Sequence, residues 1–128
     1  MAINLTSFSR TNIKIVVENL GESKGELILF LAPKTVNMIV KSLPLEGKAV
    51  NLNGKVYFLT PIKTGVEKGK SIVEAGTLAY WPQANAFCIF YEKSKPCSQV
   101  NVVGKITENL QIFRNVKNGN IIKVEKQV

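Results

Sequence analysis

The stretch Gly76-Thr77-Leu78-Ala79-Tyr80-Trp81-Pro82-Gln83-Ala84-Asn85-Ala86-Phe87-Cys88-Ile89-Phe90-Tyr91 decides the architecture. Thr77 to Trp81 and Ala86 to Tyr91 are short aromatic and aliphatic runs. Pro82-Gln83-Ala84-Asn85 joins them. Short apolar runs bounded by turn residues predict two strands of one hairpin.

Working upstream, Asn53-Gly54 is a strong type I′ signal, because both central residues of that turn need positive φ. It joins Lys48–Leu52 to Lys55–Thr60, and Pro61 stops the second strand. Residues 61–76, with Gly65, Gly69 and Gly76, read as a long loop or a loop with a short edge strand. Further upstream, Asn12 to Leu20 carries the β-branched run of a strand. Gly21 to Gly25 reads as a turn, and Glu26 to Leu31 as a strand covered on both faces. Pro33 then opens a helix, where its missing N–H has no partner to lose. Val36, Ile39, Val40 and Leu43 form one apolar stripe, which predicts packing against a sheet, and Pro44 ends the helix.

Downstream, Glu92 to Ser98 is a polar loop and Val100 to Ile106 a strand. Thr107 is expected to cap a second helix that carries Leu110 and Phe113 on one face. Asn118-Gly119 turns into a last strand, Ile121 to Lys126. The order β-β-α-β-β-β-β-β-α-β predicts a mainly β protein: a closed barrel with helices plugging its ends. Closure also removes the exposed edges that so apolar a sheet would otherwise present. Residues 1–11 read as a polar lead-in and residues 12–128 as one domain.

Composition excludes much chemistry. The 128 residues contain no His and no Asp, and all nine acidic residues are Glu. His-based triads, dyads and general bases are therefore absent, as are His-ligated metals. Cys88 and Cys97 are the only cysteines. Two thiols at that spacing make neither a zinc site nor a C-x-x-C pair. Cys88 reads as a small buried hydrophobe, Cys97 lies in a polar loop, and nothing in their spacing asks for pairing. No metal and no cofactor is expected.

The net charge is +8. Residues 1–64 hold eight Lys/Arg against four Glu, and residues 65–128 hold nine against five, so each half carries +4. A dedicated nucleic-acid face needs a clustered footprint. Dispersed lysines with only Arg10 and Arg114 beside them argue for a solvated surface instead. Met1 to Arg10 lacks the charged start and apolar core of a signal peptide. The apolar run Leu27 to Ala32 is far too short to span a bilayer. A cytoplasmic protein without membrane attachment is the expectation.

Gly25-Glu26-Leu27-Ile28-Leu29-Phe30-Leu31-Ala32-Pro33-Lys34-Thr35-Val36-Asn37 resembles the second strand and first helix of cyclophilins. Asn101 to Leu110, with Gly104-Lys105 at its centre, is similar to the late strand and helix of that fold. The stretches Val56 to Pro61, Gly76 to Pro82 and Asn85 to Phe90 resemble a group of small prokaryotic cyclophilin-like proteins, largely uncharacterised. Together these cover about residues 12–126. The resemblance implies an eight-stranded barrel closed by two α-helices. It also implies prolyl isomerisation, carried in cyclophilins by an arginine on the strand after the first helix, with a Phe and a Gln at set spacing. The corresponding Val50 to Lys55 holds no arginine. The histidine position falls near Val100 or Asn101, and Glu92 to Ser98 lacks the family's tryptophan. The scaffold is kept and the catalytic set is missing, so no catalytic residue is assigned.

The candidate ligand-binding residues are therefore Trp81, Gln83, Asn85, Phe87, Phe90, Tyr57 and Asn101. A pocket wants apolar walls with a few convergent polar groups, which this set offers. Competing structural roles are plain. Phe87 or Phe90, whichever points inward, fills the core, since successive strand residues face opposite sides. Asn101 suits a cap or turn bond. The expected activity is binding of an extended peptide or small molecule in a surface groove, without efficient isomerase activity. A divergent peptidyl-prolyl isomerase and a basic nucleic-acid-associated module are the competing readings.

Overall fold

The structure is a computed structural model that describes residues 10–127. Nine antiparallel strand segments form one sheet: β1 (Arg10–Val17), β2 (Gly21–Ile28), β3 (Leu45–Lys48), β4 (Val50–Leu52), β5 (Lys55–Leu59), β6 (Thr77–Trp81), β7 (Ala86–Phe90), β8 (Asn101–Glu108) and β9 (Ile121–Lys126). Their hydrogen-bonded order is β3-β9-β1-β2-β8-β6-β7-β5-β4. The two ends of that order, β3 and β4, are consecutive in the chain and separated only by Ala49. Ala49 itself exchanges backbone hydrogen bonds with Asn120 and Gly119, each at 2.8 Å. The sheet therefore closes on itself as a barrel of eight strands, one of them broken at its middle.

The barrel interior is filled by alternate residues of each strand. Ile13 and Ile15 on β1, Leu27 on β2, Phe58 on β5, Leu78 and Tyr80 on β6, and Phe87 on β7 are all essentially sealed from solvent. Helix α1 (Pro33–Ser42) closes one end with the expected stripe: Val36 and Ile39 are buried, and Val40 and Leu43 pack beside them. Asn53-Gly54 makes the expected turn, both residues at positive φ.

Four segments differ from the sequence expectation. The first hairpin turns earlier, at Glu18 to Leu20, where Asn19 takes φ 68°. Residues 21–25 are therefore strand. Their alternation escapes notice because the inward positions are Ser23 and Gly25, small residues facing a crowded β8. Leu29–Leu31 then leaves the sheet as a single 3-10 turn rather than ending a long strand. The second helix is also displaced. β8 runs on through Thr107 to Glu108, whose carbonyl accepts from Ser23 Oγ at 2.7 Å. Asn109 turns the chain with φ 60°, and Leu110–Asn115 is a 3-10 segment that seats Phe113 in the core. Asn51 Nδ2 donates to the carbonyls of Phe113 and Val116, at 3.2 and 2.9 Å, and pins the end of that segment. Finally, Arg10 and Thr11 belong to β1, while the rest of the expected lead-in lies outside the described residues.

Candidate functional site: the outer face of β4, β5, β7 and β6

The outward residues of a closed barrel normally meet water, and one half of this barrel follows that rule. On β9, β1, β2 and β8, Lys14 pairs with Glu22 and Glu125, Lys123 with Glu125, Lys24 with Glu108, and Arg10 and Lys105 with Glu26. Hydrogen bonding from Lys14 holds the Glu125 carboxyl below the usual carboxylate range, against the opposing effect of burial.

The other half is different. Across β4, β5, β7 and β6 the register puts Val50 beside Tyr57, Leu52 beside Lys55, Tyr57 beside Cys88, and Trp81 and Leu59 on either side of Ala86. This outer face is apolar or aromatic except for Lys55 and, at the start of β6, Thr77. Part of it is covered. Residues 70–76 and 92–100 bridge each other at Lys70–Val100 and Val73–Ser94, and lay Val73 and Val100 over Ala79, Cys88 and Phe90. The remainder is open: Leu59 is 66% and Leu52 50% exposed, and Tyr57 and Trp81 are half-buried.

Tyr57 and Trp81 meet edge to face, with ring centroids 5.5 Å apart, and the indole Nε1 donates to Ser98 Oγ at 2.7 Å. The Lys55 ammonium lies 5.3 Å from the Trp81 ring centroid and 6.0 Å from those of Tyr57 and Phe90. Cations are drawn to ring faces by the quadrupole of the π-system. The thiol of Cys88 sits beneath. Burial pushes it up to about 12, with the Lys55 charge offsetting only part, so it is a protonated filler and no nucleophile at neutral pH.

The seven candidates from the sequence divide accordingly. Trp81, Tyr57 and Phe90 come together on this face. Gln83 is exposed at the tip of the adjoining turn. Asn85 supports that turn: it takes φ 52°, its carbonyl accepts from Thr60, and its Oδ1 lies 3.2 Å from the Tyr80 hydroxyl. Phe87 points the opposite way, into the barrel against Phe58. Asn101 is fully buried as a latch for the long loop. It accepts from Glu67 N and donates to Thr35 Oγ1 and the Gly65 carbonyl. Glu67 in turn takes the Lys34 and Thr35 amides at the start of α1, at 3.0 and 2.9 Å. Partial burial pushes its carboxyl up, but the hydrogen bonds from Thr35 and Lys34 outweigh that and hold it low.

Lys55 was not among the candidates. Its only sequence signal is parity with Tyr57, two residues on; the aromatic partners arrive from β6 and β7 through strand pairing. Both arginines lie elsewhere: Arg10 on Glu26, and Arg114 on Glu92 and over the Tyr91 ring. Cys97 is exposed and Cys88 buried, and both are free. Among the described residues, no three His, Cys, Asp or Glu side chains group as for a metal, and no helix is long and apolar enough to cross a membrane.

A single closed antiparallel barrel, plugged by one helix and one 3-10 turn and bearing an aromatic outer face, is a cyclophilin-type scaffold. The family model described as cyclophilin-like matches residues 11–125, and the chain belongs to that family. It is similar to a hypothetical protein of Archaeoglobus fulgidus known from a solution structure, with 31% identity and a TM-score of 0.80 over 93% of this chain and 96% of that one. McbB in complex with tryptophan shares the fold, with 14% identity and a TM-score of 0.76 over 90% of this chain and 44% of that one. No protein of curated function matches the sequence.

Proposed function

We propose that this protein is a binding module whose open β4–β5–β7–β6 face takes an apolar ligand, an extended peptide segment or a small molecule, without efficient prolyl isomerase activity. The observation that carries the reading is the contrast in exposure. Leu59, Leu52, Tyr57 and Trp81 form one contiguous apolar strip on a molecule whose other outer half is laced with ion pairs. Contiguous exposed apolar surface rimmed by polar residues marks an interaction site. The lack of a guanidinium between Val50 and Lys55 supports the second half of the proposal. Electrostatic groups aimed at a transition state are worth about 3–4 kcal/mol each, so their loss cuts turnover by orders of magnitude.

Trp81 is the only tryptophan, so its emission reports on this face alone. Titration with proline-containing peptides and small aromatic metabolites should find ligands that shift that emission. Turnover of a proline peptide at an ordinary cyclophilin's rate would contradict the reading. So would the absence of any effect on Trp81 across the panel.

A further inference from the structure

Lys55 is the one charged side chain on the apolar face, and its surroundings are unusual for a lysine. It is 7% exposed, and its ammonium lies among the rings of Trp81, Tyr57 and Phe90. Among the described residues no carboxylate comes within ion-pair distance of it, although eight such pairs form elsewhere on the surface. Nor does its Nζ hydrogen-bond to any described residue, yet it is not sealed: among the described residues no buried side-chain nitrogen is left without a partner. Its register neighbour Leu52 is half exposed, so the face is open beside it.

An ammonium has three donors and a strong demand for hydration. Ring faces answer its charge but accept no conventional hydrogen bond. A buried cation left this way is expensive for the free protein, and an anion arriving in low dielectric would be held more strongly than one in water. The strip has a matching length. From Lys55 to Leu59 along β5 is roughly 14 Å at about 3.4 Å per residue. The loops that seal Val73 and Val100 against the barrel stop the open surface from running further across β6 and β7.

We propose, resting on the reading of this face as a binding surface, that its ligand is a small apolar monocarboxylate. The carboxylate sits on the Lys55 ammonium and the apolar body lies along Tyr57, Leu59 and Trp81. An arylalkanoic acid has the required size and polarity. A longer peptide would overrun the strip, and a neutral ligand would leave the ammonium as it stands.

The test is a Trp81 emission titration with 4-phenylbutyrate, its primary amide 4-phenylbutyramide, and the hexapeptide acid acetyl-Leu-Ala-Leu-Ala-Leu-Phe, which is longer than the strip. The acid should bind at least tenfold more tightly than the amide. Lys55→Gln should reduce that ratio to within about twofold, and Lys55→Arg should retain most of it, which guards against a variant that merely misfolds. Rising salt should weaken the acid and leave the amide unchanged. Equal binding of acid and amide to the native protein would overturn the carboxylate assignment and leave the binding face standing. Tighter binding of the hexapeptide acid than of 4-phenylbutyrate would overturn the small-molecule assignment. No response to any of the three would overturn the assignment and the face together.

Discussion

The two outer halves of this barrel are built on the same backbone rule and filled by opposite chemistry. On β9, β1, β2 and β8 the strands alternate apolar inward and charged outward, and opposite charges meet across neighbouring strands. On β4, β5, β7 and β6 the outer face too is largely apolar, and only part of it is covered by the protein's own loops. The first half can be explained by solubility alone. Salt bridges at such a surface add little to stability but keep the strands hydrated and soluble. The second half has no such explanation, since exposing Leu52 and Leu59 gains nothing for the fold. That difference is why the ligand face is proposed there, and substitutions in each half test it.

The largest effect should come inside the charged half, where β8 packs on β2. Gly104 of β8 lies so close to β2 that an added Cβ would stand 1.9 Å from the Glu26 carbonyl oxygen. Gly104→Ala should cost about 3 kcal/mol or more, the scale of disrupted core packing, and a thermal melt would show it. Next comes the open strip. Leu52→Ser with Leu59→Ser should lower ligand affinity at least tenfold by titration, yet shift stability by only about 0.5 kcal/mol at each position.

A smaller stability loss is expected at the latch of the long loop. Glu67→Gln weakens a helix cap, a change worth about 1 kcal/mol. The sign with pH follows from the lowered carboxyl. The Glu67 contribution is complete above the ordinary carboxylate range and lost as pH falls through the depressed folded value. Acid melts of the native protein should carry that loss, and those of Glu67→Gln should not. Thiol labelling separates the halves of the covered face without disturbing them. Cys97 should react at once in the native protein, and Cys88 only after unfolding. Last, Glu125→Gln on the charged half should move the melting temperature barely at all, and high salt should abolish even that.

How far the sequence carries the argument depends on the range of the interactions. Asn53-Gly54, the α1 stripe and the strands Thr77–Trp81 and Ile121–Lys126 are set by local φ preference and periodicity, and they stand where the residues predict. The first hairpin turn does not. Gly21 and Gly25 look like turn residues, but Gly25 is strand, small because the Lys105 carbonyl lies 2.8 Å from where a Cβ would be. Thr107 reads as a cap until Glu108 is tied to Ser23, a partner 85 residues away. The same holds for the site. Trp81 stands out in any reading of the chain, and Tyr57 by its strand. Lys55 gains its meaning only when β6 and β7 bring Trp81 and Phe90 over it, and Asn101 is absorbed by a latch that no local pattern announces.

The central claim, that ligand meets the apolar half and not the charged one, is tested most directly by amide chemical-shift mapping. The ¹⁵N-labelled protein would be titrated with 4-phenylbutyrate. The account predicts shifts concentrated at Leu52, Lys55, Tyr57, Leu59 and the Trp81 indole N–H, with β1, β2 and β9 unmoved. Shifts centred on Lys14, Lys24 and Lys123, or spread evenly over every lysine-bearing strand, would contradict it.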